Sequence, residues 1–393
     1  MDWAVTEEQR ELAAVVRRML ADHAPDAAVR DLMSGPDGHD PALWSLMAEL
    51  GLQGLAVPEE HGGAGCGLAE LAVVLEELGR RLLPSPFLPS AVLAVQTLLA
   101  ADDPAAAAAY LPGLADGSLI ATVALPMGDT APAAEIEATS ADDSSYAASQ
   151  ARSSEAGGAD AARTGEFGGF RLTGVADLVL EAQVADLVLL SARTAAGPSL
   201  FAVRTDAPGV TVTQLPTLDQ TRRLARVALD AAPAAPIGVE GGAPRVLARV
   251  LDLAEIALSA EALGGAQHCL DSSVAYAKVR HQFGKPIGSF QAIKHKCADL
   301  LTLVESARSA VAYAAGTADT ASPDALPVTA SLAKSHTADA YFTAAAESIQ
   351  IHGGLGFTWE HDAHLHFKRA KSTQLLFSTP TTHRTRLAAH LSL

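Results

Sequence analysis

The sequence predicts an α+β protein of three segments in the order helical, stranded, helical. Three observations carry this expectation. Apolar residues recur at helical spacing near both ends, whereas the middle holds short apolar runs broken by turn residues. Alanine, the best helix former, is abundant. With 393 residues and 49% hydrophobic content, the chain is long enough to bury two or three cores.

The first segment, expected over 1–119, opens at Thr6, an N-cap with Gln9 three residues on as its capping-box partner. Leu12, Val15, Val16, Met19 and Leu20 follow at helical spacing. A helical pattern at 42–50 ends in the proline and glycines of 51–65, and 68–83 and 91–99 resume it. Near Leu119 the character changes. Short strands are expected at 120–125, 170–174, 186–192, 200–203 and 210–212, which places a β segment over 120–235. Between Ala131 and Thr164 lies a tract rich in Ala, Ser, Asp and Glu, expected to be a low-complexity loop. Long helical periodicity returns over 236–393, as a bundle requires.

Composition narrows the function. A formal charge of −17 argues against a nucleic-acid partner, which needs clustered positive charge. Cys66, Cys269 and Cys297 are scattered and odd in number, as in a reducing compartment, and none has metal-ligand spacing. His361, His364 and His366 read as a solvated or interfacial segment, so no metal site is expected. The N-terminus lacks a basic region and an apolar core, and no apolar run reaches spanning length. A cytoplasmic chain with no membrane insertion is the expectation.

Two stretches carry the chemistry. In Arg280-His281-Gln282-Phe283-Gly284-Lys285-Pro286, a guanidinium, an amide and a ring stand within four residues, the groups needed to grip a pyrophosphate, bond a ribose and stack on an adenine. In Gln350-Ile351-His352-Gly353-Gly354, paired glycines remove the Cβ atoms that would keep backbone N–H groups from a phosphate or an adenosine. Together, about seventy residues apart on helical segments, they resemble signatures of the acyl-CoA dehydrogenase family. The Thr6-Glu7-Glu8-Gln9 opening, the Val57-Pro58-Glu59-Glu60-His61-Gly62-Gly63 turn and Glu77-Leu78-Gly79-Arg80 add to the likeness, which covers nearly the whole length.

The resemblance implies a helical N-terminal domain, a middle β-barrel or sandwich and a C-terminal four-helix bundle. It implies FAD as cofactor, an acyl thioester as substrate, an electron-transfer acceptor and an oligomer. Cofactor contacts are then expected at Arg280, Gln282, Phe283, Gln350, Gly353, Gly354 and Thr379. In this chemistry a carboxylate takes the α-proton while the β-hydride passes to the flavin.

Several family positions are altered here. Leu125–Thr130 bears little likeness to the family's flavin loop, and Ala176, Leu178 and Leu180 stand where the family presents a lysine, a tryptophan and a threonine. Phe377 occupies the common place of the base and Ala254 the alternative one. Glu255 is turned about 100° from Ala254, whereas Glu261 shares its face roughly 10 Å along the axis. Glu261 is therefore the candidate base, with solvated or salt-bridged helix positions as the alternative reading of both glutamates. The chain keeps the half of the flavin site that the family offers across an interface and has lost much of the half it holds in its own subunit. It thus resembles a subunit of the actinobacterial heteromeric type. Four roles stay open: a dehydrogenase working with a partner subunit, a non-catalytic subunit completing a partner's site, a flavin-independent thioester reaction, and a homo-oligomeric dehydrogenase.

Overall fold

The computed structural model describes residues 6–127, 136–140, 169–320 and 324–392. The N-terminal helices are α1 (Glu7–His23), α2 (Asp26–Ser34), α3 (Pro41–Glu49) and α4 (Leu68–Arg81), then a π-helical stretch, Leu88–Ala94, that runs into α5 (Val95–Ala101), and α6 (Pro104–Ala115). The capping box at Thr6 and Gln9 is formed in both directions. Val16, Met19 and Leu20 of α1 are buried, as their spacing predicts.

The middle segment contains β1 (Ala121–Val123), β2 (Ile136–Ser140), β3 (Phe170–Leu180), β4 (Leu187–Thr194), β5 (Gly197–Arg204), β6 (Val210–Leu215) and β7 (Leu224–Ile237). They form one seven-stranded sheet in which β4, β2, β3, β7 and β5 pair in turn and β5 pairs back to β4, closing a barrel. Leu172, Val188, Leu190, Phe201, Val203 and Val227 fill its interior. One expectation is corrected here. Ile136–Ser140, inside the tract read as a low-complexity loop, is strand β2, paired antiparallel to β3. The other residues of that tract lie outside those described.

The last segment is the bundle: α7 (Ala243–Val279), α8 (Gln291–Thr320) and α9 (Leu326–His352), then the single turn α10 (Gly354–Phe357), α11 (Ala363–Leu375) and α12 (Pro380–His390). Between α7 and α8 a hairpin of β8 (His281–Gln282) and β9 (Lys285–Pro286) stands out. The main core joins all three segments, since Leu180, Leu187 and Leu189 of the barrel pack with Leu71 and Leu75 of α4 and with Leu258 and Leu263 of α7. Arg223, just before β7, donates to the carbonyls of Leu32, Met33 and Gly35, tying the barrel to the end of α2. No described helix is long and apolar enough to cross a membrane.

Candidate functional site

The structure brings the two sequence motifs side by side. Arg280 caps α7, and the hairpin beyond it turns through Phe283 at φ 53° and Gly284 at φ 79°, the doubly left-handed pattern of a two-residue type I′ turn. The Ile287 N–H donates to the Arg280 carbonyl at 2.7 Å and closes the excursion. Arg280, Gln282 and Phe283 all face solvent, and Phe283 is 90% exposed, touching its own chain edge-on at Phe290. His352, at the end of α9, packs on Tyr276 of α7 with ring centroids 4.4 Å apart, so the Gly353–Gly354 turn stands beside the last turn of α7. Gln350 is exposed, and a Cβ at Gly353 or Gly354 would meet nothing within 4 Å. The Gly353 N–H is spent on the Ile349 carbonyl at 2.9 Å, so what the pair offers is an open surface without side chains for close backbone approach. These residues fit the ADP half of a flavin dinucleotide, and they offer it outward.

The strand face meant for the ring system does not fit in the same way. The family-aligned positions Ala176, Leu178 and Leu180 do not share one face, because a bulge between Ala176 and Val179, with Leu178 at φ 60°, breaks the alternation. Ala176 joins the barrel interior, while Leu178 and Leu180 pack toward the helices. None of the three carries a polar atom to bond a flavin edge. Leu180 lines a cavity at the junction of the three segments together with Leu75, Leu78, Phe87, Arg222 and Glu261; it offers about 20 Å³, the room of a single water.

A buried ion network occupies that junction. Arg222 donates to Glu261 at 2.6 Å, and Arg369 of α11 donates to the same Glu261 oxygen. Arg369 also reaches Asp219 at 2.9 Å and the Thr221 carbonyl at 2.6 Å. Burial pushes the Asp219 carboxyl up, but the Arg369 and Arg222 guanidinia outweigh it and hold it below its usual value. Next to the network, burial lifts the Glu181 carboxyl to about 7, against bonds from the Arg223 N–H and Gln183. Glu261, expected on sequence as the base, thus has an oxygen shared by two guanidinia. Arg222, Arg369 and Asp219 went unnoticed in the sequence; the adjacent Arg222-Arg223 pair bordering an apolar strand is the one local signal that marks them.

The remaining expected contact, Thr379, caps α12 by accepting from the Thr382 N–H. Phe377, at the place of the family's common base, is buried in the main core. Of the three histidines read as a solvated or interfacial segment, two lie inside the chain itself: His366 is buried, bonded to the Tyr341 hydroxyl at 2.9 Å and stacked on His268, and His364 is buried as well, while His361 is half-buried. The start of α11 faces inward, and burial lowers both imidazoles, so they pack as neutral rings. Among the described residues no group of three or more His, Cys, Asp or Glu is placed to hold a metal ion.

Comparison with known proteins agrees with this geometry. The acyl-CoA dehydrogenase N-terminal domain matches residues 6–118, and the acyl-CoA dehydrogenase C-terminal domain matches 240–392. Acyl-CoA dehydrogenase IpdE2 of Mycobacterium tuberculosis (strain ATCC 25618 / H37Rv) is 37% identical over 375 residues, covering 95% of this chain and 94% of that protein. Among solved structures, a variant of the Tcur3481-Tcur3483 steroid ACAD superposes with a TM-score of 0.82 at 30% identity over 99% of both chains. The ChsE4-ChsE5 complex from Mycobacterium tuberculosis does so with 0.83 at 28% identity over 100% of this chain and 99% of that one. The chain therefore belongs to the acyl-CoA dehydrogenase family, FAD-dependent oxidoreductases that act on the CH–CH bond of acyl-CoA.

Proposed function

We propose that this chain is one subunit of a heteromeric acyl-CoA dehydrogenase and completes the flavin site of a second dehydrogenase-like subunit. The observation that carries this reading is an asymmetry. The ADP-gripping groups are displayed to solvent, with Phe283 at 90% exposure, while the chain's own ring-facing strand is apolar and abuts a cavity of about 20 Å³. Arg280 binds the pyrophosphate through two N–H groups at once, Gln282 bonds the sugar, and Phe283 stacks on the adenine. Gln350, Gly353 and Gly354 receive the same adenosine from the side. When bound, FAD accepts the hydride from the acyl β-carbon, and an electron-transfer acceptor reoxidises it. Thr379 lies beside the flavin. Glu261 serves as the anchor of the two arginines, because one of its oxygens already accepts from both Arg222 and Arg369 at the buried junction. The likeness to ChsE4-ChsE5, a complex of two proteins, supports the heteromeric reading.

The flavin-to-protein ratio tests it, measured on the chain purified alone and after co-expression with a second dehydrogenase-like subunit. Little FAD is expected on the lone chain and a full site in the assembly, lost again when this chain carries Arg280→Ala. Stoichiometric FAD on the lone chain overturns the proposal.

A further inference from the structure

The turn between α11 and α12 holds two consecutive left-handed residues that are not glycine, Phe377 at φ 56° and Ser378 at φ 79°. Side chains with a Cβ disfavour this region, and such a pair persists only where its surroundings over-determine it. Three buried groups do so. Lys334 of α9, with no exposure, donates to the carbonyl of Thr373 at 2.7 Å and reaches that of Ser378 at 3.5 Å. His383 of α12, also fully buried, donates through Nε2 to the Phe377 carbonyl at 2.9 Å. Its Nδ1 faces the Ser331 hydroxyl at 3.4 Å and Oε2 of Glu255 at 3.6 Å. Glu255, on α7, accepts from Arg386 at 3.0 Å through its other oxygen, and Oε2 has no hydrogen-bond partner.

We propose that Glu255 and His383 hold one proton between them, and that this pair, with Lys334, is the positioning device that fixes Phe377 and Ser378 and so presents Thr379. With Nε2 committed as a donor, Nδ1 of a neutral imidazole is a lone pair. An ionised Oε2 opposite it would set two acceptors against each other in a dry site; a proton on either atom removes the conflict. The other charges around the pair are Arg386, Asp252 on the same helix and Lys334 from α9, and Asp252 in turn faces Arg386, His390 and Arg249. Burial prevails over Arg386 and lifts the Glu255 carboxyl to about 8, so the proton is kept at neutral pH. Loss of that proton turns the buried carboxylate against the imidazole, and the left-handed pair is free to relax.

The functional half of the inference rests on the placement of Thr379 beside the flavin; the clamp itself does not. Hydrogen exchange of the full chain over the peptide 376–383, corrected for the intrinsic effect of pH, reads the clamp directly. In the wild type, opening rises about tenfold per pH unit as pH climbs from the open-state value toward about 8, the slope for one proton, and levels off above it. Glu255→Gln donates to Nδ1 at every pH and gives a flat profile. Superimposable profiles of the two proteins overturn the shared proton. Should the glutamine variant not fold, Glu255→Leu replaces it: it has no carboxyl to hold the proton, so a flat profile supports the proposal and a surviving tenfold rise overturns it. The FAD content of the assembly is measured over the same pH range. Flavin loss that tracks loop opening supports the presentation of Thr379, and full retention with an opened loop overturns that half while the clamp stands.

Discussion

Glu261, Arg222, Arg369 and Asp219 compensate one another in a site where the residues are nine-tenths or more buried. Neutralising one member strands the charges of the others, so Glu261→Gln is expected to destabilise the chain by about 3–5 kcal/mol, read from the urea midpoint. If Glu261 were also the base, the folded assembly carrying the same variant would lose about a hundredfold in turnover. The sequence showed Glu261 on the face of Ala254 because helical periodicity reports on one helix at a time. It did not show Arg222 or Arg369, which meet Glu261 from 39 and 108 residues away. Nothing in local spacing links such residues, and the mutual cancellation of their charges is visible only once three segments have packed.

At the scale of elements, α4 and α7 cross backbone to backbone. A Cβ on Gly79 would lie 1.9 Å from the Glu261 carbonyl oxygen, and one on Gly264 would lie 1.8 Å from that of Glu76 and 2.8 Å from the Arg80 nitrogen. The helices must separate to admit a methyl group there, so Gly264→Ala is expected to cost about 3 kcal/mol, the upper end for overpacking. Chemical denaturation checks this, with Gly354→Ala, where a Cβ meets nothing within 4 Å, as a control of unchanged stability. The Glu77-Leu78-Gly79-Arg80 run was legible as a family likeness; the contact explains why a glycine stands in it. Helices were the most legible elements, since their apolar stripes are long. Strands were less so. The 14-residue β7 pairs with β3, β5 and β6 yet contains Pro233 and Pro236, which argue against a strand, and alanines, which supply little apolar contrast. β2 was hidden in a tract whose composition reads as a loop.

Across the whole molecule, buried titratable groups pull stability in two directions. Burial raises Glu255 to about 8, Glu181 to about 7 and Asp252 to about 6. Groups raised in the folded state contribute fully below their unfolded values, and that contribution is lost as pH climbs toward the folded ones. Burial lowers His268, His352, His361, His364 and His366, whose contribution is present above their unfolded value and lost as pH falls through the folded ones. A maximum in melting temperature is therefore expected at about pH 6–7. A melting temperature still rising through pH 8, followed by calorimetry, contradicts these assignments. The outward hairpin has a consequence of another kind. Without a neighbour the chain shows water the rings of Phe283, Phe357 and Trp359, exposed by 90%, 80% and 62%. Aromatic surface of this sort is what chaperones and proteases act on in an orphan polypeptide. If the proposed heteromer holds, matched synthesis of this chain and its partner, more than the strength of its own core, sets how long each copy survives in the cell.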